Sequence, residues 1–391
     1  MESYDLVVVG AGLAGLQFAQ AATELGCATL LVDRKDDISR HVHTSGIFVR
    51  KTIEDFAIGE ECLGPWVGHV VLHSPKHRTV ALQAPAGEFR IGRMSRLYRE
   101  TLWNAVAAGV VWRHRTHFVS AMDDSTGSIV TLRNGGREHR VRTRLLIGAD
   151  GAVSNVARAL GLDENREWIV GIEDVFESAG VITPVMHCFF DPRLAPGYIA
   201  WVVDDGESVH AGVGGYAREF EPARALSEFL SVASERVGVV FGSHIERRAG
   251  RIPVGGILRR IGMERGLLVG DAAGAPSPLT AGGIDACYRL SRYAAGVARR
   301  ALNGDRHAIA NSYRGDRFKA RFVSRRWMRR AMASVRSRTL VEAAFATLSS
   351  PLLRGLAWRI FFGRASFPDI ERGCKSSRSP LQDPSFSRPL V

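Results

Sequence analysis

Asp5-Leu6-Val7-Val8-Val9-Gly10-Ala11-Gly12-Leu13-Ala14-Gly15 is the stretch that decides the fold. Its apolar, β-branched run suits a strand buried on both faces of a parallel sheet, and the run stops at a glycine. Leu16 to Leu25 continues as a helical pattern, with Gly26 as its C-terminal stop. In such a strand-turn-helix unit Gly10 permits the tight turn, Gly12 lets the backbone approach a pyrophosphate, and Gly15 lets the helix sit close to the strand. Leu13 and Ala14 open the helix, where unpaired N–H groups face an anion. Ala28 to Val32 reads as the second strand and ends at Asp33, whose carboxylate can accept the hydroxyls of an adenosine ribose. Arg34 and Lys35 follow, a pair that suits either a 2'-phosphate or a solvated turn. The unit predicts a dinucleotide site and leaves open which dinucleotide it holds.

The remaining chain sets limits. A length of 391 residues predicts two to three lobes with substantial cores, and 46% hydrophobic with 24% charged residues is ordinary globular usage. The net charge of +12 suits nucleic acid, an anionic membrane surface or a phosphorylated ligand, and does not choose among them. Cys27, Cys62, Cys188, Cys287 and Cys374 are scattered without CxxC pairs, so no metal site, cluster or disulfide framework is expected and a reducing cytoplasm is the expected compartment. Glu2 and Asp5 leave no room for a signal peptide, and no apolar stretch approaches the roughly 18 residues of a membrane span, so any membrane contact is expected to be peripheral.

Two more strand ends follow. Leu145-Leu146-Ile147-Gly148-Ala149-Asp150-Gly151 runs into a turn, and Gly266-Leu267-Leu268-Val269-Gly270-Asp271-Ala272-Ala273-Gly274 repeats the plan before Pro276, Pro278 and Gly282-Gly283-Ile284 lead into a helix. Over about residues 1–300 this order of a glycine fingerprint, a GADG motif and a GD motif resembles the glutathione-reductase-fold flavoproteins of the p-hydroxybenzoate hydroxylase superfamily. The resemblance implies FAD. Asp271 would then bond the ribitol chain, and Asp150 with Gly151 would form the turn flanking the pyrophosphate and a path for a nicotinamide donor, NAD(P)H. The helix start at Gly282, Gly283 and Ile284 would offer N–H donors and a positive dipole end to the flavin N1 and C2 carbonyl. The family's arginine near the ribitol corresponds to Arg93 or Arg96.

Within the superfamily, Gly274 stands where the hydroxylases carry His, whereas the run from Gly270 to Ile284 and the element Ile252-Pro253-Val254-Gly255-Gly256 resemble the geranylgeranyl reductase branch. Ala281 replaces a usual Gly of that branch. Its aromatic substrate motif corresponds to Tyr198 and Trp201, with one residue more between them and Val202-Val203 in place of Phe-Pro; two aromatics on a strand can wall an apolar cavity. In the loop His41-Val42-His43-Thr44-Ser45-Gly46-Ile47, Ser45 takes the place of the branch's cysteine, so His43 and Ser45 are the candidates for handling a proton.

The expected fold class is α/β: an FAD-binding Rossmann-type, glutathione-reductase-like domain from residues 1–161 and 261–300, a mixed-sheet substrate domain at 162–260, a basic helical segment at 301–372 and a flexible tail at 373–391. From Arg317 to Arg338 nine basic residues occur with no acidic one, and Arg321, Arg325 and Arg329 at i, i+4 spacing predict a cationic helical surface, suited either to anionic lipid at the inner face of the membrane or to a helical pair packed on the FAD domain with its basic face in solvent. Nucleic acid is not an expected partner, because no recognition motif accompanies the charge. The leading expectation is FAD-dependent reduction or dehydrogenation of a hydrophobic, isoprenoid-like substrate by hydride transfer through flavin N5. The rivals are a monooxygenase or halogenase using NAD(P)H and oxygen, and a non-catalytic flavin carrier.

Overall fold

The N-terminal strand, Glu2–Val9, stands inside an eight-stranded sheet, parallel to Arg137–Gly148 on one side and Thr29–Val32 on the other. A computed structural model describes residues 1–180, 183–348 and 350–362. Gly266–Leu268 adds in parallel outside Arg137–Gly148, so the three strand ends that carry the glycine motifs lie side by side. Leu6, Val7 and Val8 are fully buried, as a strand covered on both faces requires. Helices Leu13–Glu24 and Ile284–Leu302 pack together over this sheet, and the Ser291 hydroxyl donates to the Ala14 carbonyl at 3.0 Å.

Two glycines of the first motif answer to the protein itself. Gly10 sits at φ +102°, and a Cβ there would lie 2.3 Å from the Ala149 carbonyl oxygen; a Cβ on Gly15 would lie 1.9 Å from the Gly10 carbonyl oxygen. Both close approaches are backbone against backbone, so no side-chain movement relieves them.

The second sheet has seven strands in the order His244–Pro253, Trp168–Glu177, Ser208–Gly215, Ala200–Asp204, Val185–Phe189, His69–His73 and Thr79–Gln83. Its last two strands come from within residues 1–161, so the expected assignment of that whole span to the first domain does not match the strand pairing. A three-stranded sheet of Ile47–Val49, Phe89–Gly92 and Leu63–Val67 joins the two larger ones. Period-2 alternation sorts the faces: Ala200 and Val202 pack under helix Pro222–Val237 through Leu226 and Phe229, while Trp201 and Val203 face the opposite side. That opposite side is closed by the C-terminal helices Lys319–Ser334, Arg338–Leu348 and Pro351–Phe362, which bring Val341, Phe345, Ala357 and Phe362 against it. The expected tail at 373–391 lies outside the described residues.

Candidate functional site

A cavity of about 1280 Å³ lies between the strand ends of the first sheet, the inner face of the second sheet and the C-terminal helices. Gly10, Gly12, Leu13, Ala14, Asp33 and Arg34 line it from the first motif, Asp150 and Gly151 from the second, and Asp271, Gly282, Gly283 and Ile284 from the third. His43, Ser45, Tyr198 and Trp201 line it as well.

Gly12 is unlike its two partners, because a Cβ there would meet nothing within 4 Å. The room is at the mouth of the turn, inside the cavity wall, where the backbone N–H groups of a helix start are exposed to an anion. Asp33 is fixed by the turn: one carboxylate oxygen accepts the Ala11 N–H at 2.7 Å and the other the Lys35 N–H at 2.8 Å. Tyr98 accepts the Leu13 N–H through its hydroxyl at 3.2 Å, a buried phenol that braces the helix start.

Asp150 caps the short helix Asn155–Ala159, accepting the Ser154 hydroxyl at 2.5 Å and the Asn155 and Val156 N–H groups at 2.7 and 3.1 Å. It shapes the turn through that cap. Asp271 is different: among the described residues no group donates to its carboxylate, and burial pushes its pKa up to about 6. Such a carboxylate lacks only a donor, and a polyol hydroxyl is one. Helix Ile284–Leu302 starts at the same cavity with Gly283 as its N-cap and no side-chain cap, leaving its positive end for a ligand. Open space over Gly12, a donorless carboxylate and an uncapped helix start fit a dinucleotide with a polyol arm.

Arg93 and Arg96 are placed elsewhere. The Arg93 guanidinium is held by the Glu207 carboxylate and by the Leu63 carbonyl at 2.9 Å, and Arg96 donates to the Glu61 carbonyl at 3.3 Å; neither reaches the cavity wall. Gly15, Gly270 and Pro278 also stand behind the wall, where they serve packing and turn geometry.

On the second sheet, Tyr198 and Trp201 meet edge to face with centroids 6.4 Å apart. Glycines on the neighbouring strand seat them: a Cβ on Gly212 would lie 2.3 Å from the Trp201 ring, and one on Gly214 2.6 Å from the Tyr198 ring. The Tyr198 hydroxyl donates to the Thr280 carbonyl at 2.6 Å, tying this wall to the loop of the third motif. Beneath Trp201 lies a charged cluster absent from the sequence expectations. The Trp201 indole donates to Glu173 at 2.8 Å, Arg248 approaches Glu173 at 3.4 Å, and His210 stands 3.6 Å from Glu173 and 3.8 Å from Asp205. All four charged residues are buried. Burial alone would raise the Glu173 pKa, but His210 and Arg248 outweigh it and hold it down to about 2. Burial likewise opposes the His210 charge, and Asp205 and Glu173 overcome it to push the imidazole up to about 9.

His43 donates from Nδ1 to the Ala249 carbonyl at 2.6 Å, since a carbonyl only accepts. Burial, with Lys35 nearby, holds its pKa below the ordinary value, which leaves Nε2 an acceptor at neutral pH. The C-terminal helices contribute Phe322, Arg325, Met328 and Met332 from Lys319–Ser334, and Leu353, Leu356, Ile360 and Phe361 from Pro351–Phe362. Arg325 donates to the Ser277 hydroxyl at 2.8 Å, and Arg329, 2% exposed, lies between the Tyr198 and Tyr216 rings at 4.9 and 5.4 Å. The expected cationic stripe through Arg325 and Arg329 is therefore turned inward, because Tyr198 and Tyr216 offer the guanidinium of Arg329 a π-face that solvent does not.

This fold and this site define an FAD-binding oxidoreductase. Residues 3–191 match the family model described as an FAD binding domain. A digeranylgeranylglycerophospholipid reductase from Methanopyrus kandleri is 31% identical over 77% of this chain and 82% of its own length, and one from Methanococcoides burtonii is 27% identical over 92% of this chain and 88% of its own length. The chain belongs to this family of geranylgeranyl-type reductases. A geranylgeranyl bacteriochlorophyll reductase-like structure from Thermoplasma acidophilum superposes with a TM-score of 0.80 at 19% identity, covering 96% of this chain and 99% of its own. A probable FAD-dependent monooxygenase from Pseudomonas aeruginosa shares the fold less fully, with a TM-score of 0.64 at 20% identity over 88% of this chain and all of its own.

Proposed function

We propose that the chain uses FAD to reduce carbon–carbon double bonds of an isoprenoid lipid. One observation carries this reading: the cavity lined by Gly12 and Asp271 is also lined by Met328, Met332, Leu353, Ile360 and Phe361, so one space offers a dinucleotide cradle and an aliphatic sleeve. FAD, when bound, supplies hydride chemistry at its N5. The chain's residues orient and exclude water: Trp201 and Tyr198 form a rigid aromatic wall, and the aliphatic side chains desolvate the substrate. The balancing proton is assigned to the His43–Ser45 loop. Neutral His43 accepts through Nε2, so the loop's hydroxyls, Ser45 with Thr44 beside it, relay a proton that solvent supplies and replaces.

The reductant is a nicotinamide nucleotide on this reading, supported by the open turn at Gly151 beside the cavity. The chain works in the cytoplasm at the inner face of a membrane, a reading supported by four buried free thiols and by the basic C-terminal helices; no described helix is long and apolar enough to cross a bilayer. Anaerobic mixing of the reduced holoprotein with a geranylgeranyl lipid tests the proposal: the flavin should reoxidise and the lipid should gain hydrogen by mass spectrometry. Reoxidation by oxygen alone, with an oxygenated product, would overturn it in favour of monooxygenation.

A further inference from the structure

Helices Lys319–Ser334 and Pro351–Phe362 each have two faces of use. On the first, Phe322, Arg325, Met328 and Met332 recur at helical spacing and line the cavity, while Val323, Trp327 and Arg330 fall on the opposite side in solvent, Trp327 66% exposed with Arg330 stacked over its ring. On the second, Leu352 is 84% exposed one turn before Leu356, and Arg359 shares that side. Leu356 belongs to both faces, since it lines the cavity and is 50% exposed. The apolar lining thus runs out to the surface there.

We propose that the outer faces of these two helices rest on an anionic lipid bilayer, and that the substrate's hydrocarbon passes between bilayer and cavity at Leu356; the entry route rests on the lipid-substrate reading above, the docking surface does not. Exposed apolar side chains interleaved with arginines are what an interfacial helix presents to headgroups and acyl chains. Charge argues against the other occupants. Between Arg317 and Phe362 the sole acidic residue is Glu342, already engaged by the Lys76 N–H and by Arg78, so a second copy of this face would meet like charge across a two-fold axis. The chain's own residues 363–391 carry Arg364, Arg372, Lys375, Arg378 and Arg388 against Asp369, Glu371 and Asp383, and do not complement it either.

Flotation of the full-length holoprotein with phosphatidylglycerol vesicles, and with phosphatidylcholine vesicles as the neutral control, tests this. Binding should favour the anionic vesicles and fall with salt, and Trp327 emission should shift to shorter wavelength, a shift absent from Trp327→Phe. The pair Arg330→Glu/Arg359→Glu should weaken binding at least about tenfold. Leu352→Asp should weaken it too, with flavin content and melting temperature kept in all variants. These variants should turn over a detergent-dispersed lipid normally and a vesicle-held lipid slowly. Equal binding to both vesicle types, no effect of the variants, or a dimer in light scattering that the variants dissolve would each overturn the proposal. Loss of turnover on dispersed lipid by the unmodified protein, with flotation intact, would instead strike the assigned reaction and leave the docking surface standing.

Discussion

The two walls of the cavity are built by opposite means. The wall at the first sheet is backbone: strand ends and helix starts whose shape is dictated by glycines at Gly10, Gly15 and Gly283. The wall at the second sheet is side chains: Trp201 and Tyr198 seated on Gly212 and Gly214, and a buried quartet of charges beneath them. A wall of backbone is specified locally and tolerates ligand loss; a wall of interlocked side chains holds itself together and fails when one member is removed.

The strongest break in that contrast is on the side-chain wall. Glu173→Ala removes the carboxylate shared by Trp201, Arg248 and His210, leaving Arg248 with Glu246 and His210 with Asp205 alone, and should destabilise the chain by about 3 kcal/mol in chemical denaturation, whereas a surface glutamate changed in the same way should cost almost nothing. The pH profile follows from the same cluster. The contribution of His210 is complete below the ordinary imidazole range and is lost as pH rises through about 9, while that of Glu173 is lost as pH falls toward about 2. His210→Gln should remove the alkaline loss. Next comes the backbone wall. Gly12→Val should leave apo stability within about 1 kcal/mol yet weaken flavin binding at least about a hundredfold, or ~3 kcal/mol, by fluorescence titration; Gly15→Ala should fail to fold, because its Cβ meets a carbonyl oxygen of the same turn. If Gly12→Val binds flavin normally, the space over that residue is not the pyrophosphate cradle.

Asp271 joins the two comparisons. Its raised pKa makes the ionised carboxylate unfavourable in the apo chain, so apo stability should fall as pH rises through about 6. Asp271→Asn should abolish that fall, gain about 2 kcal/mol at neutral pH without cofactor, and weaken flavin binding. The smallest effect is at Ala281, held at φ +54°, where Ala281→Gly should add about 0.5–1 kcal/mol to thermal stability.

The backbone wall was legible in the sequence because a turn that needs a glycine advertises it; Gly10, Asp33, Asp150 and Asp271 all line one cavity. The side-chain wall was not. Glu173 and Asp174 are neighbours on one strand and equally buried, and nothing in their spelling says that the first meets the buried His210 while the second meets the exposed Arg247. Arg93 and Arg96 misled for the same reason, since their direction is set by Glu207 and by carbonyls at Glu61 and Leu63, partners that no local pattern names. The spacing of Arg329 reads as part of a cationic helix face, and only the fold brings Tyr198 and Tyr216 together around it.

The order of strands in the first sheet also times the making of the enzyme. Glu2–Val9 leaves the ribosome first, but its partner Arg137–Gly148 follows more than a hundred residues later and the uncapped helix start at Gly283 later still. A nascent chain therefore holds this apolar strand with only Thr29–Val32 beside it until more than a third of the polypeptide has been made, exposed to wrong pairings. The cavity at the three strand ends is complete only after nearly three quarters of the polypeptide has emerged, so it closes late in synthesis.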